Sequence, residues 1–197
     1  MKTILIATAA AVLLTSTPAL AKSSKDKSVL DDLNYGAGIG FIDLGPTSSA
    51  TLFYAIAEKD LDKVKLAKGW DSVAQVRLGT STAASQSVFF LTTEAKVDYI
   101  VSGLFKASKQ VDKKIAVYGM AGVSYSSVTV TTTSPQQVIL GIPVPGTGGS
   151  ASVSSTGIDI NLAVGADFQV NRDFKVGVEY ARYGIGNAFA VNAYYNF

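Results

Sequence analysis

The sequence predicts an all-β fold, an eight-stranded antiparallel up-and-down transmembrane β-barrel, and three observations predict it. After residue 21 no run of about 18 apolar residues occurs, although 48% of the chain is hydrophobic, so there is no candidate spanning helix. From Asn34 onward eight segments alternate with period two, apolar residues on one face and small or polar residues on the other. A chain that enters lipid without a helix must satisfy its backbone in a closed barrel, and an even strand number suits a single-chain barrel.

The elements follow in chain order. Residues 1–21 are expected to be a signal peptide that is cleaved. Lys2 precedes an apolar run over 4–14, Pro18 follows it, and Ala19-Leu20-Ala21 forms the small-x-small pattern in which Ala19 and Ala21 mark a signal-peptidase site. The run is shorter than the roughly 20 residues of a spanning anchor. Residues 22–33 carry Lys22, Lys25, Asp26, Lys27, Asp31 and Asp32 and read as a flexible lead-in, which leaves 34–197 as the barrel.

The eight segments are placed at 34–43, 49–57, 71–80, 94–107, 113–133, 149–170, 173–184 and 187–197. With the N-terminus in the periplasm, the connections 44–48, 81–93, 134–148 and 183–186 face outside. The connections 58–70, 108–112 and 171–172 face the periplasm. The longest segments flank 134–148, so that hairpin is expected to project beyond the membrane. Segment 58–70 is charged, with Leu61, Val64 and Leu66 interspersed, and is open to two readings: a helical turn at the membrane surface or a solvated loop.

The faces are clearest late in the chain. Phe174, Val176, Val178 and Tyr180 oppose Lys175, Gly177, Glu179 and Ala181; Ile158 through Phe168 oppose Asp159, Asn161, Ala163, Gly165 and Asp167. In the fourth segment Val97, Tyr99, Val101 and Phe105 are expected outside, with Lys96, Asp98, Ile100, Leu104 and Lys106 inside. A soluble barrel alternates as well. The polar face here, however, is rich in glycine, alanine, serine and asparagine, as a narrow lumen filled by side chains requires. Aromatics also gather at both ends of the apolar face, with Phe41, Tyr125, Tyr180 and Phe189 at one end and Tyr35, Phe105, Phe168, Phe174 and Phe197 at the other.

Four pieces of the chain resemble a known family: YGAGIGF (35–41), SVAQVRLGT (72–80), VNRDFKVGVEYARYG (170–184) and the terminal AVNAYYNF (190–197). They are similar to the small outer-membrane barrels grouped with the outer membrane protein A transmembrane domain, outer membrane protein X and the opacity proteins. The resemblance implies a Gram-negative cell envelope and an outer-membrane location. It also implies that Val191, Tyr195 and Phe197 form the signal read by the barrel-assembly machinery, with Ala193 smaller than the family's usual residue.

Composition restricts the chemistry. With no cysteine and no histidine, the usual zinc sites, thiol nucleophiles and Ser/His/Asp triads cannot be built. No catalytic residue, metal ligand or cofactor is therefore expected. A formal net charge of +2 gives no footprint for nucleic acid. Asp159 and Glu179 could be neighbours across the sixth and seventh segments, and a structural role is preferred for them. The inward charges are Arg77, Lys96, Lys106 and Lys175 against Asp98, Asp159, Asp167 and Glu179. Buried charges must be paired, so they are expected to form a lumen charge network that plugs the barrel and fixes register.

The leading function is a non-enzymatic barrel of the envelope, contributing to surface integrity or to adhesion and contact. A narrow outer-membrane channel is the runner-up, opposed by the inward Ile100, Leu104, Tyr118, Met120 and Tyr194. A soluble periplasmic ligand-binding barrel is third. Contact is expected through 134–148, where Val138 to Pro145 are apolar and could alternatively pack on their own hairpin. Arg182, two residues beyond Tyr180 on the apolar face, is expected to meet the phosphates of lipopolysaccharide or to snorkel into water.

Overall fold

The computed structural model describes residues 33–45, 49–61, 64, 66–144 and 147–195. The predicted signal peptide with Ala19 and Ala21, most of the lead-in and the terminal Phe197 lie outside the described residues. The strands are β1 (Asn34–Asp43), β2 (Ala50–Asp60), β3 (Asp71–Ser81), β4 (Ala84–Val88), β5 (Leu91–Asp112), β6 (Ile115–Ser134), β7 (Val138–Ile139), β8 (Ile142–Pro143), β9 (Gly149–Gln169), β10 (Phe174–Tyr183) and β11 (Gly186–Tyr195).

Eight of these strands close into an antiparallel ring, because β1 pairs with both β2 and β11 while β3 pairs with β5 as well as with β2. The remaining neighbours are β5–β6, β6–β9, β9–β10 and β10–β11. Paired residues once around the ring run Ser72, Ala107, Gly119, Val164, Tyr180, Phe189, Phe41 and Thr51. The Thr51 carbonyl then accepts the Thr82 N–H at 2.8 Å, ten residues beyond Ser72. A stagger of that size over eight strands tilts them by roughly 40° from the barrel axis.

Alternation sorts the side chains as the sequence predicts over most of the ring. Val178, Leu162, Val164 and Ile160 are exposed on the outer surface, whereas Glu179, Asn161, Asp167 and Asn192 are buried in the lumen. Phe41, Phe189 and Tyr180 are cross-strand neighbours at the external end, and Tyr35, Tyr195 and Phe174 at the periplasmic end. Phe105 sits higher than that lower girdle, opposite Ala74 and Ala121.

In the fourth predicted segment the alternation breaks. Asp98 is an extra residue between the pairs Val97–Val128 and Tyr99–Ser127, a β-bulge that reverses the faces of everything preceding it on β5. Val97 is therefore inside, with 0% exposure, while Lys96 and Asp98 are exposed. The bulge falls where the β3–β5 ladder stops. Hydroxyls take over its backbone groups: Ser81 Oγ accepts the Val97 N–H at 2.9 Å, and Thr80 Oγ1 donates to the Val97 carbonyl at 3.1 Å.

Three connections are shorter than predicted. β2 continues through Asp60, β5 through Asp112 to a turn at Lys113 and Lys114, and most of 81–93 is the β4–β5 hairpin. Among the described residues of 61–70 there is no helix, only a turn at 67–69. β5, β6 and β9 have 22, 20 and 21 residues, about twice what a spanning strand needs, so with β4 they rise out of the membrane as a four-stranded wall. The opposite side of the barrel ends low, at the two-residue corner Gly184-Ile185.

Candidate functional site

Two regions carry chemistry: the lumen and the external wall. In the lumen, β1 contributes glycines where its neighbours contribute rings. A Cβ on Gly38 would lie 2.3 Å from the Tyr54 ring, so only glycine lets that tyrosine cross the barrel. Tyr54 Oη donates to Asn192 Oδ1 at 2.5 Å, and Arg77 lies over the Tyr54 ring at 5.0 Å.

Arg77 and Glu179 form the upper half of the charge network. The guanidinium donates from Nη1 and Nη2 to the two carboxylate oxygens, each at 2.6 Å, in the bidentate geometry that a planar fork favours. Both side chains are almost fully buried. Tyr118 Oη and Asn192 Nδ2 also donate to Glu179 Oε2, at 3.1 and 3.3 Å.

The lower half has two carboxylates and two ammoniums. Lys106 lies 2.8 Å from Asp167 and 3.2 Å from Glu58; Lys175 lies 3.5 and 3.4 Å from the same two groups. Gln75 joins the halves, donating from Nε2 to Glu58 at 2.5 Å and accepting from Arg77 Nε at 2.6 Å. Three cations face three anions, so the network is neutral, and each charge has the partner that burial demands.

The structure thus brings together Arg77, Lys106, Asp167, Lys175 and Glu179 of the predicted set. Lys96 and Asp98 do not belong, because the bulge places them outside; Asp98 accepts from Thr129 at 2.6 Å instead. Asp159 is half-buried near Gly184 at the external corner, away from the network. Nor is it a neighbour of Glu179, which pairs with Gly165, six residues and roughly 20 Å of strand from Asp159. Glu58 was missed because it was assigned to a connection. Its signal was present: it continues the inward phase Leu52, Tyr54, Ile56.

Above the network Ile42, Leu52, Val97, Ile100 and Tyr183 are buried and fill the external half of the lumen. Below it, a vestibule of about 830 Å³ opens toward the periplasm, reaching Lys106, Asp167, Lys175 and the 61–70 connection. Ile100, Leu104, Tyr118, Met120 and Tyr194 are all buried, as the sequence predicts for residues opposing a channel.

On the wall the polarity of the two faces inverts. The outer face, lipid-facing and apolar lower down, becomes a hydroxyl ladder: Thr129–Ser154 at 2.7 Å, Thr131–Ser152 at 2.8 Å and Thr133–Ser150 at 3.4 Å. The inner face pairs Ala95 with Val130 and Val130 with Val153. Val130 and Val153 remain 39% and 71% exposed, so this apolar face is only partly covered.

The two hairpin tips are apolar and open. Phe89 and Phe90 are exposed between β4 and β5, and Ile139, Leu140 and Ile142 are exposed at the β7–β8 hairpin. Phe89 and Leu140 hold φ of 54° and 52°, a region where asparagine and glycine are the usual occupants. No Asp, Glu, Lys or Arg occurs in 78–93 or in 115–158. Arg182 is exposed on the outer surface, opposite Asn187 and Leu162. Val191 and Tyr195 face outward on β11.

The family model described as outer membrane protein beta-barrel domain matches residues 7–197. Among solved structures the fold is similar to the N-terminal β-barrel domain of Pseudomonas aeruginosa OprF, with 10% identity over 84% of this chain and 96% of that one and a TM-score of 0.52. Ail, the attachment invasion locus protein of Yersinia pestis, matches with 11% identity over 84% and 96% and a TM-score of 0.45. A de novo designed transmembrane β-barrel matches with 13% identity over 87% and 98% and a TM-score of 0.48. A search of curated proteins gives no match.

Proposed function

The chain belongs to the outer membrane β-barrel domain family and resides in the outer membrane, and from that premise we propose that it is a non-enzymatic surface barrel that makes contacts through its wall. The observation that carries this reading is the pair of exposed apolar tips, Phe89-Phe90 and Ile139 to Ile142, held above the membrane within the charge-free stretches 78–93 and 115–158. Exposed apolar patches of this kind mark contact sites on soluble surfaces. Phe89 and Leu140 stay apolar at positions where the backbone favours asparagine or glycine, which supports selection for the side chain rather than for the turn.

The barrel beneath acts as a rigid post. Its charges are matched within the lumen, and its inverted wall presents hydroxyls to water on one face and valines on the other. Arg182 adds a second contact, with the phosphates of lipopolysaccharide, as a guanidinium at the external end of the apolar surface is suited to make.

The test is attachment of cells that display the protein. Replacing Phe89, Phe90, Leu140 and Ile142 with serine should abolish the attachment gained on expression, while the shift in gel mobility on boiling, a sign of the folded barrel, is retained. Unchanged attachment would refute the reading. One observation favours a channel, the vestibule that reaches the network from the periplasm. Planar-bilayer recording decides it: steady nanosiemens conductance would require an open path past Ile100 and Leu104.

A further inference from the structure

The lipid-facing surface is not uniform. Outward positions on β5 and β6 carry the small residues Ala107, Gly119 and Ala121, while Phe105, Leu162 and Tyr180 rise around them. The result is an apolar groove of about 610 Å³. Its axis follows the paired residues Ala107, Gly119, Val164 and Tyr180, and because the strands are tilted that line climbs the barrel. The groove runs from Trp70, just before β3 at the periplasmic end, to Arg182 at the external end, a climb on the order of 20 Å. That exceeds one leaflet's share of the hydrocarbon core, about 15 Å.

Its floor is empty of protein atoms. A Cβ on Gly119 would have no neighbour within 4 Å. Its upper end has an unusual occupant. Arg182 is exposed, lines the groove, and makes no hydrogen bond, ion pair or ring contact with the described residues. Elsewhere the cations that point into the barrel have carboxylate partners within 3.5 Å. Hydrocarbon cannot supply such a partner to Arg182, whereas a lipid headgroup oxyanion can, in the bidentate geometry that guanidinium favours.

We propose that this groove seats one acyl chain of a phosphorylated outer-leaflet lipid, whose phosphate Arg182 holds. The inference deepens the Arg182 contact above and rests on it. An apolar groove of acyl-chain length ending at an unpaired guanidinium matches an amphiphile with an anionic head and an apolar tail. A second copy of the chain would match the small residues but would leave the charge unanswered.

Lipid retention tests it. The protein is reconstituted into vesicles of lipopolysaccharide with phosphatidylcholine, or of dephosphorylated lipopolysaccharide with phosphatidylcholine, then extracted, washed and assayed for bound lipid by mass spectrometry. Wild type should retain the phosphorylated lipid and lose it about tenfold when the phosphate is absent. Arg182→Ala should fall about tenfold, Arg182→Lys less, and Gly119→Leu, which fills open space, should fall as Arg182→Ala does, with boiling-dependent gel mobility unchanged throughout. If Arg182→Ala falls and Gly119→Leu does not, the groove is refuted and the headgroup contact stands. If neither falls, both are refuted. A wild-type dimer in detergent that Gly119→Leu converts to monomer would replace the lipid with a second copy.

Discussion

Below the Asp98 bulge and above it, the same strands obey opposite rules. Below, valine, leucine and phenylalanine face outward and the charges face inward; above, threonine and serine face outward and valines face the axis. β6 and β9 do not change their hydrogen-bonding pattern between the two regions, since they pair without interruption from Ile115–Phe168 to Ser134–Gly149. What changes is the solvent on the outer side. Lipid there selects apolar side chains, and water selects hydroxyls, whatever the strand is doing.

The comparison also teaches what a closed ring is for. In the barrel, eight strands surround the buried charges, and each finds its partner across the lumen from a strand far away in sequence; Arg77 and Glu179 are 102 residues apart. In the wall, four strands leave one apolar face partly open. Closure makes the lower region self-sufficient, while the open wall is left suited to an external partner.

The largest effect is expected from breaking the closed region. Glu179→Ala leaves the Arg77 guanidinium buried without its bidentate partner and should destabilise the barrel by about 3–5 kcal/mol, measured by urea unfolding in vesicles. Arg77→Met with Glu179→Leu should recover much of that loss, because it removes both charges together. A cost below about 1 kcal/mol for the single change would mean that the lumen is wet enough to solvate the arginine.

Next comes the lipid-facing surface. Val178→Lys, within the spanning part of β10, should cost about 2–4 kcal/mol in lipid. Val153→Lys, on the wall's inner face, should cost under about 0.5 kcal/mol by the same unfolding assay. Equal costs at both sites would erase the distinction between the two regions.

Deleting Asp98 sharpens the boundary itself. Without the extra residue, Val97 follows Tyr99 directly in the ladder it already makes with Val128 and Ser127, so Val97 and Ala95 stay inward, Lys96 stays outward and only the bulge is lost. Limited proteolysis of the wall should change by less than about twofold, with gel mobility of the barrel unchanged. Cutting faster by about tenfold or more would show that the bulge itself, and not the ladder on either side of it, holds the wall in register.

A small effect is also expected at a tip. Leu140→Asn suits the positive φ of that position, and should strengthen the β7–β8 hairpin by less than about 1 kcal/mol. Slower hydrogen exchange of the Ile139 and Ile142 amides, with an unchanged unfolding midpoint, is the expected readout. Faster exchange would show that the leucine side chain itself holds the turn.

The sequence by itself determined the number of barrel strands, their antiparallel order and most of their faces. Period-two alternation is written residue by residue, and lipid outside a narrow lumen makes it legible in β9, β10 and β11. It also placed Arg77, Lys106, Asp167, Lys175 and Glu179 inside, since each lies in phase with its strand. Three matters were decided only by the tertiary structure. The bulge at Asp98 moved Lys96 and Asp98 outside, because one inserted residue leaves no mark on composition and shows itself only against a paired strand. Glu58 entered the network because a stagger of ten residues carries the end of β2 level with Lys106 and Asp167, a fact of closure and not of any single strand. The inverted wall arose because β5, β6 and β9 outlast the membrane, where the outer face meets water and the preference for apolar side chains ends.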